Sequence, residues 1–172
     1  MRLFETMPYE VLEKHKNIEL RRYPEFTLAE TKTVPNEKMD SGFMNVFHYI
    51  SGHNETKTKI SMTTPVVTQK TADTLTTGFY VPKKFKETHI PKPSSKAVQI
   101  EAYPEQLFLI IRFRGSWKQT HFDRADRVLL KFIQDNHFII QSNQFIFRYQ
   151  PPFIPGIFRR NEIGYVVKKD LE

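Results

Sequence analysis

Residues 46–67, VFHYISGHNETKTKISMTTPVV, decide how this chain is read. The opening VFHYI closes an apolar pattern with three- and four-residue spacing, and Gly52 offers a helix stop. A polar loop follows, then an extended segment that runs to Pro65 and resumes at Val66 and Val67. Upstream, Met39, Phe43, Val46, Phe47 and Ile50 fall on one face of a helix over residues 36–51, with Asn36 or Asp40 as its cap. A second distinctive segment lies at residues 149–167, YQPPFIPGIFRRNEIGYVV. Neither segment holds a catalytic constellation.

Working outward, Tyr9 and Val11, then Ile18 and Leu20, alternate with polar residues on either side of Lys14, His15, Lys16 and Asn17. This predicts a hairpin with Asn17 at the positive-φ position, followed by a break at Pro24 and a strand from Phe26 to Ala29. Gly78 to Pro82 reads as another strand. Residues 83–96, KKFKETHIPKPSSK, read as a connector too polar to pack and too proline-rich to be helical. The first plan then recurs: an alternating segment from Val98, a turn at Tyr103 to Gln106 and an apolar strand from Leu107 to Phe113. A helix over residues 120–134 follows, with Phe122, Ala125, Leu129, Phe132 and Ile133 on one face and Asn136 as a left-handed stop. Strands at Phe138 to Ile140, Gln144 to Tyr149 and Ile163 to Val167 complete the chain.

Hairpin, helix and two strands thus appear twice, about 85 residues apart, which points to two pseudo-symmetric halves of one domain, not a solenoid. The half-repeats cover residues 8–82 and 97–168 within a single domain of residues 1–172. One helix for about four strands per half predicts an α+β fold, a curved antiparallel sheet with helices packed on it, closed enough to lose its exposed edges.

Composition narrows the chemistry. The 172 residues include 15 Phe, 7 Tyr and no cysteine, which excludes disulfides, thiolate nucleophiles and Cys-bearing metal sites. Apolar runs are too short for a membrane span of roughly 20 residues, and the chain reads as cytoplasmic. A formal charge of +7 favours anionic ligands, or serves solubility alone. Phosphate-binding glycine motifs, nucleophile elbows and zinc helices are absent, as are the signatures of nucleic-acid-binding modules, so neither an enzyme nor a nucleic-acid partner is expected. Glu30, Glu101 and Glu162 are the acids a hydrolase would use.

The chain resembles the SOUL/haem-binding protein family in three segments: YEVLEKHKNIELRRYPEFTLAET, FMNVFHYISGHNETKTKISMTTPV and YQPPFIPGIFRRNEIGYVV. The family's recurrent pieces fall on Tyr9 and Glu10, on Tyr49 to Asn54, on Lys59 to Val66 and on Arg159 to Ile163. The resemblance implies a distorted antiparallel β-barrel flanked by two helices. It also implies that haem or another tetrapyrrole is the ligand and partner, held in an apolar groove with basic residues at its propionates. Some members carry a proposed axial His just before the tyrosine of a Glu-[Ile/Leu]-Arg-x-Tyr strand; here that strand is Glu19 to Tyr23 and the position is Arg22, which cannot ligate iron. A related superfamily of gyrase-inhibitor-like effector domains offers the alternative of a small-molecule binder without haem selectivity, a few of whose members are hydrolytic.

Candidate ligand-binding residues follow from both lines. Phe43, Met44 and Phe47 lie on or beside the apolar stripe of the first helix, which otherwise serves as core. His48 and His53 bracket its end, as surface residues or as axial contacts to iron. Phe153, with Ile154, sits on a proline-stiffened loop that is either a groove wall or a packed plug. Arg159 and Arg160 would meet propionates, or pair with Glu162.

Overall fold

The computed structural model describes residues 4–35 and 40–171. In chain order the strands begin with β1 (Glu5–Thr6), β2 (Glu10–His15), β3 (Ile18–Tyr23) and β4 (Phe26–Thr33). Helix α1 (Asp40–Ile50) leads to β5 (Thr63–Thr64), β6 (Val66–Lys70) and β7 (Leu75–Tyr80), then to the short helix α2 (Lys83–Glu87). After β8 (Gln99–Tyr103) and β9 (Gln106–Arg114) come α3 (Gln119–Asp135), β10 (Phe138–Ile140), β11 (Gln144–Arg148) and β12 (Arg160–Lys169). The class is α+β, as expected. Asn36 and Met39 lie outside the described residues.

The chain forms two compact units. One comprises residues 1–7 and 25–104, the other residues 8–24 and 105–172. Contacts and sequence pattern therefore cut the chain at different places: the N-terminal hairpin clusters with the C-terminal half, and β8 with the N-terminal one.

In the first unit the antiparallel order is β6–β7–β4–β8, and β1 and β5 form a short parallel pair beside it. Val46, Tyr49 and Ile50 of α1 pack with Ala29, Ile60, Phe79, Val81, Phe85 and Val98. Phe47 was expected on this buried face but is exposed, and Tyr49 takes the place, its hydroxyl donating to Pro91 O at 2.7 Å. That bond also corrects the reading of residues 83–96. The segment packs, and Phe85 is buried on a helix whose N-cap is Pro82. Its prolines 91 and 93 come after the helix, where they interrupt nothing.

In the quoted segment the helix end and its stop follow the prediction, while the extended run before Pro65 is a strand only at Thr63 and Thr64. Gly52 at φ 114 ends α1, a conformation without cost only for glycine. Asn54, 3% exposed, then ties the loop: its Nδ2 donates to Tyr49 O and Thr58 O, and its Oδ1 accepts from Thr58 N. Ile60 N donates to Ile50 O, bringing the loop back to the helix end. Thr63 Oγ1 donates to Tyr80 O at 2.6 Å. The threonines thus serve the strand's own hydrogen bonding.

In the second unit the order is β2–β3–β9–β12–β11, antiparallel throughout, with β10 also on β12. One face carries Ile18, Leu20, Leu109, Ile111, Ile146, Ile163 and Tyr165, covered by Phe122, Ala125, Leu129 and Ile133 of α3. The opposite face carries Arg21, Tyr23, Phe108, Phe145, Phe147 and Glu162, all buried. Tyr23 meets Phe108 edge-on at 4.9 Å, and Phe108 meets Phe145 likewise at 5.0 Å.

Two turn residues differ from expectation by one position. Lys16, not Asn17, has positive φ (57°), because Asn17 is fixed by β9: its Nδ2 donates to Arg112 O and its carbonyl accepts Arg112 N, both at 2.9 Å. Asn136 has φ −105°, its side chain capping Phe132 O, and His137 makes the left-handed step at φ 57°. In both places a side-chain hydrogen bond outweighs asparagine's usual tolerance of positive φ.

Candidate functional site

Of the eight sequence-predicted ligand residues, five lie in the first unit, on α1 and the loop after it. Phe43 is half-buried and meets Phe79 edge-on at 5.4 Å. Phe47 stacks on Phe43 at 6.0 Å and is 38% exposed, and Met44 is 41% exposed. The outer side of α1 is therefore an apolar surface continuous with its core side through the two phenylalanines.

His48 and His53 are brought together at the end of this surface. Their rings are 5.4 Å apart between centroids, tilted 43°. His53 Nδ1 lies 3.0 Å from His48 O. A carbonyl can only accept, so Nδ1 carries the proton and Nε2 of the neutral ring keeps its lone pair. Metal-ligating histidines are commonly oriented by such a bond. The returning loop places the exposed Lys57 and Lys59 beside the same helix end. These residues fit a tetrapyrrole in kind: apolar wall, free imidazole nitrogen, ammonium groups for carboxylates. Among the described residues, no cluster of three or more His, Asp or Glu could hold a metal ion.

The other three predicted residues lie in the second unit. Phe153 is 81% exposed, with Ile157 and Phe158 also exposed, so the loop is not a packed plug. Arg159 donates from Nε to Ile154 O at 2.7 Å and from Nη2 to Pro152 O, bracing the loop from within. Its guanidinium lies 4.4 Å from the centre of the Trp117 ring. Arg160 donates to Glu162 Oε2 at 2.9 Å and to Tyr9 OH at 3.1 Å.

Glu162 is the centre of a buried ionic cluster. Arg21, with no exposed surface, grips it with two bonds of 2.9 and 2.7 Å, and also donates to Glu19 at 2.7 Å and Tyr23 OH at 3.0 Å. Arg112 Nε is 3.4 Å from the same carboxylate. Burial alone would raise the Glu162 pKa, but the hydrogen bonds and charge of Arg21, then Arg160, outweigh it and leave it lowered. Glu162 is thus a structural anion fully saturated by guanidiniums. Glu30 is its opposite: buried beside Tyr103, whose hydroxyl donates at 2.8 Å, it is pushed up by burial against that bond. Glu101 is exposed. Two of the three acids are enclosed, and the charge of Glu101 adds to the upward push on Glu30.

Arg22, at the position of the family's occasional histidine, pairs with Glu10 at 2.9 Å and Glu105 at 3.8 Å. It lines a shallow depression of about 260 Å³ with Pro8, Tyr9 and Pro24. Sequence reasoning missed the Arg21–Glu162 pair entirely. Alternation placed Ile18 and Leu20 inside, which sends Glu19 and Arg21 to the other face. The signal that this face is also covered lies in Tyr23, Phe108, Phe145 and Phe147, which share its parity across three strands.

A sequence profile described as "SOUL heme-binding protein" matches residues 4–166. Among curated proteins no sequence matches. The fold is shared with the C-terminal domain of EcmrR, at TM-score 0.68 and 11% identity over 95% of this chain and 100% of that one. EcmrR in a complex with DNA gives TM-score 0.67 and 12% identity, covering 89% of this chain and 57% of that one. A hydrolase from Listeria innocua gives 0.64 and 9% identity, over 91% and 94%. At such identities the likeness is one of fold.

Proposed function

The chain belongs to the SOUL haem-binding protein family, and from that premise we propose that it carries haem or a related tetrapyrrole on the outer face of α1, without turnover. The observation that carries this reading is the side-by-side exposure of Met44 and Phe47 next to the His48–His53 pair. Covering the two apolar side chains with a flat macrocycle removes them from water, the main favourable term in binding such a ligand. His53 Nε2 is the nitrogen available to iron, and Lys57 and Lys59 are the cations available to propionates. The absence of turnover rests on the carboxylates: Glu162 is held ionised by arginines, far from the near-neutral pKa a general acid or base needs.

Hemin titrated into the protein is expected to give a saturable Soret change, and a strictly linear response up to excess hemin overturns the reading. Phe47→Asp and Met44→Asp should weaken binding while leaving the fold intact, since both side chains are largely outside the core. His53→Ala should alter the band shape more than His48→Ala; identical spectra in both and in the parent protein would remove the axial role. Phe153→Asp, Arg159→Ala and Arg160→Ala test a contribution from the second unit. A lipophilic cation should not compete with hemin. If it does, a small-molecule effector domain without haem selectivity is the better description.

A further inference from the structure

Among the described residues of the second unit, every enclosed or half-enclosed guanidinium but one has a partner. Arg21, Arg112 and Arg160 share Glu162, and Arg159 donates to two carbonyls. Arg148, at the end of β11, has neither a carboxylate nor a hydrogen-bond acceptor among the described residues. Its Nε is sealed from solvent and unpartnered, whereas its two terminal nitrogens are not sealed in this way. The guanidinium lies near two aromatic rings, 5.2 Å from the centre of Trp117 and 6.0 Å from that of Phe122.

These rings fix where the charge sits. Phe122 belongs to the opening turn of α3, and Trp117 stands just before it, held by Nε1–H donation to Asn161 Oδ1 at 3.0 Å. Asn161 is itself the register partner of Arg148. The opening turn of α3 contains no acidic residue and no side-chain cap. A helix start carries partial positive charge, so α3 opposes the cation instead of balancing it. Burial without a counter-ion lowers the Arg148 pKa to about 10. Cation–π contact at these distances is the weak end of its range. A planar donor without an acceptor, beside two aromatic rings and near a helix start, is complementary to a negative group.

We infer that Arg148, at the opening turn of α3, is a receptor for the carboxylate or phosphate group of a small-molecule ligand. This site belongs to the second unit and does not depend on tetrapyrrole binding by α1.

Trp117 is the chain's single tryptophan, so the site has its own reporter. Inorganic phosphate and acetate are titrated separately into the whole protein, with ionic strength held constant by sodium chloride. A saturable change in tryptophan emission is expected with at least one, and the tighter of the two identifies the group. Arg148→Met should abolish saturation while the protein melts at the same or a higher temperature, because an unpaired enclosed charge is gone. Arg148→Lys keeps the charge without the planar fork and should bind about fivefold more weakly or worse. Linear, non-saturable responses to both anions in the parent protein overturn the inference. So does unchanged affinity in Arg148→Lys, which also decides the matter if the methionine variant does not fold. Hemin binding should be unaffected in either variant.

Discussion

Removing the carboxylate of Glu162 is the sharpest test of how the second unit is held together. Glu162→Ala leaves Arg21 with no exposed surface and only Glu19 and the Tyr23 hydroxyl as partners. Two charge-assisted hydrogen bonds are lost from Arg21, each worth about 1.5–3 kcal/mol. Arg160 and Arg112, whose side chains are 26% and 41% exposed, can turn to water and add little. Because Glu19 still balances Nε, the expected cost lies near the middle of the range for breaking a buried pair, about 4 kcal/mol. Unfolding entropy of about 2.1 cal/mol/K per residue, taken over 172 residues, converts this to a fall in melting temperature of about 11 °C. Thermal and urea unfolding followed by circular dichroism and by Trp117 emission would measure it. The combined substitution Arg21→Met, Glu162→Leu and Glu19→Gln, which also removes the second carboxylate on Arg21, should recover most of the loss, since apolar replacement of a whole buried ion cluster is often neutral. A cost below about 1 kcal/mol for Glu162→Ala, or no recovery in the combined variant, refutes the view that the penalty comes from an uncompensated buried guanidinium.

The same carboxylate sets the acid limb of stability. Its pKa is lowered on folding, so its contribution is present above the unfolded value and is lost as pH falls through the folded one. Glu30 acts in the other direction: with a raised folded pKa it destabilises the fold as pH rises through the window above its unfolded value, and Glu30→Gln should flatten that part of a melting-temperature profile. Gly164→Ala places a Cβ against the Ile110 side chain and 3.2 Å from Leu109 O, and should cost about 1–3 kcal/mol by overpacking. Leu129→Ala, at a fully buried position on the inner face of α3, should cost about 2–5 kcal/mol in the same denaturation assay.

Much of the fold was legible in the sequence, because it depends on local signals. The helix before Gly52 with Val46 and Ile50 on its buried face, the hairpin around Lys16 and Asn17, and the face of α3 formed by Phe122, Ala125, Leu129 and Ile133 read out correctly. The errors fell where a remote partner decides between local options: Asn17 gave up positive φ to hold Arg112, and Phe85 turned a polar connector into a packed helix. The candidate site was legible only as a set of residues. His48 and His53, five positions apart, were singled out together, but their 5.4 Å separation depends on the turn at Gly52, which brings His53 N and Nδ1 onto His48 O.

The sequence by itself determined most of the element order, the α+β class and the family, since periodicity, turn residues and motif spacing act within short stretches of chain. Tertiary structure alone decided which charges are buried. Arg21 and Arg22 are adjacent in sequence and equally basic. One is locked onto Glu162, 141 positions away, and the other rests among surface acids. Likewise Arg159 and Arg160 are engaged within their own unit, while Arg148 is enclosed without a counter-ion. The reason is physical: a strand's two faces are fixed by parity, but what covers each face, and which opposite charge reaches it, depends on strands brought together from far along the chain.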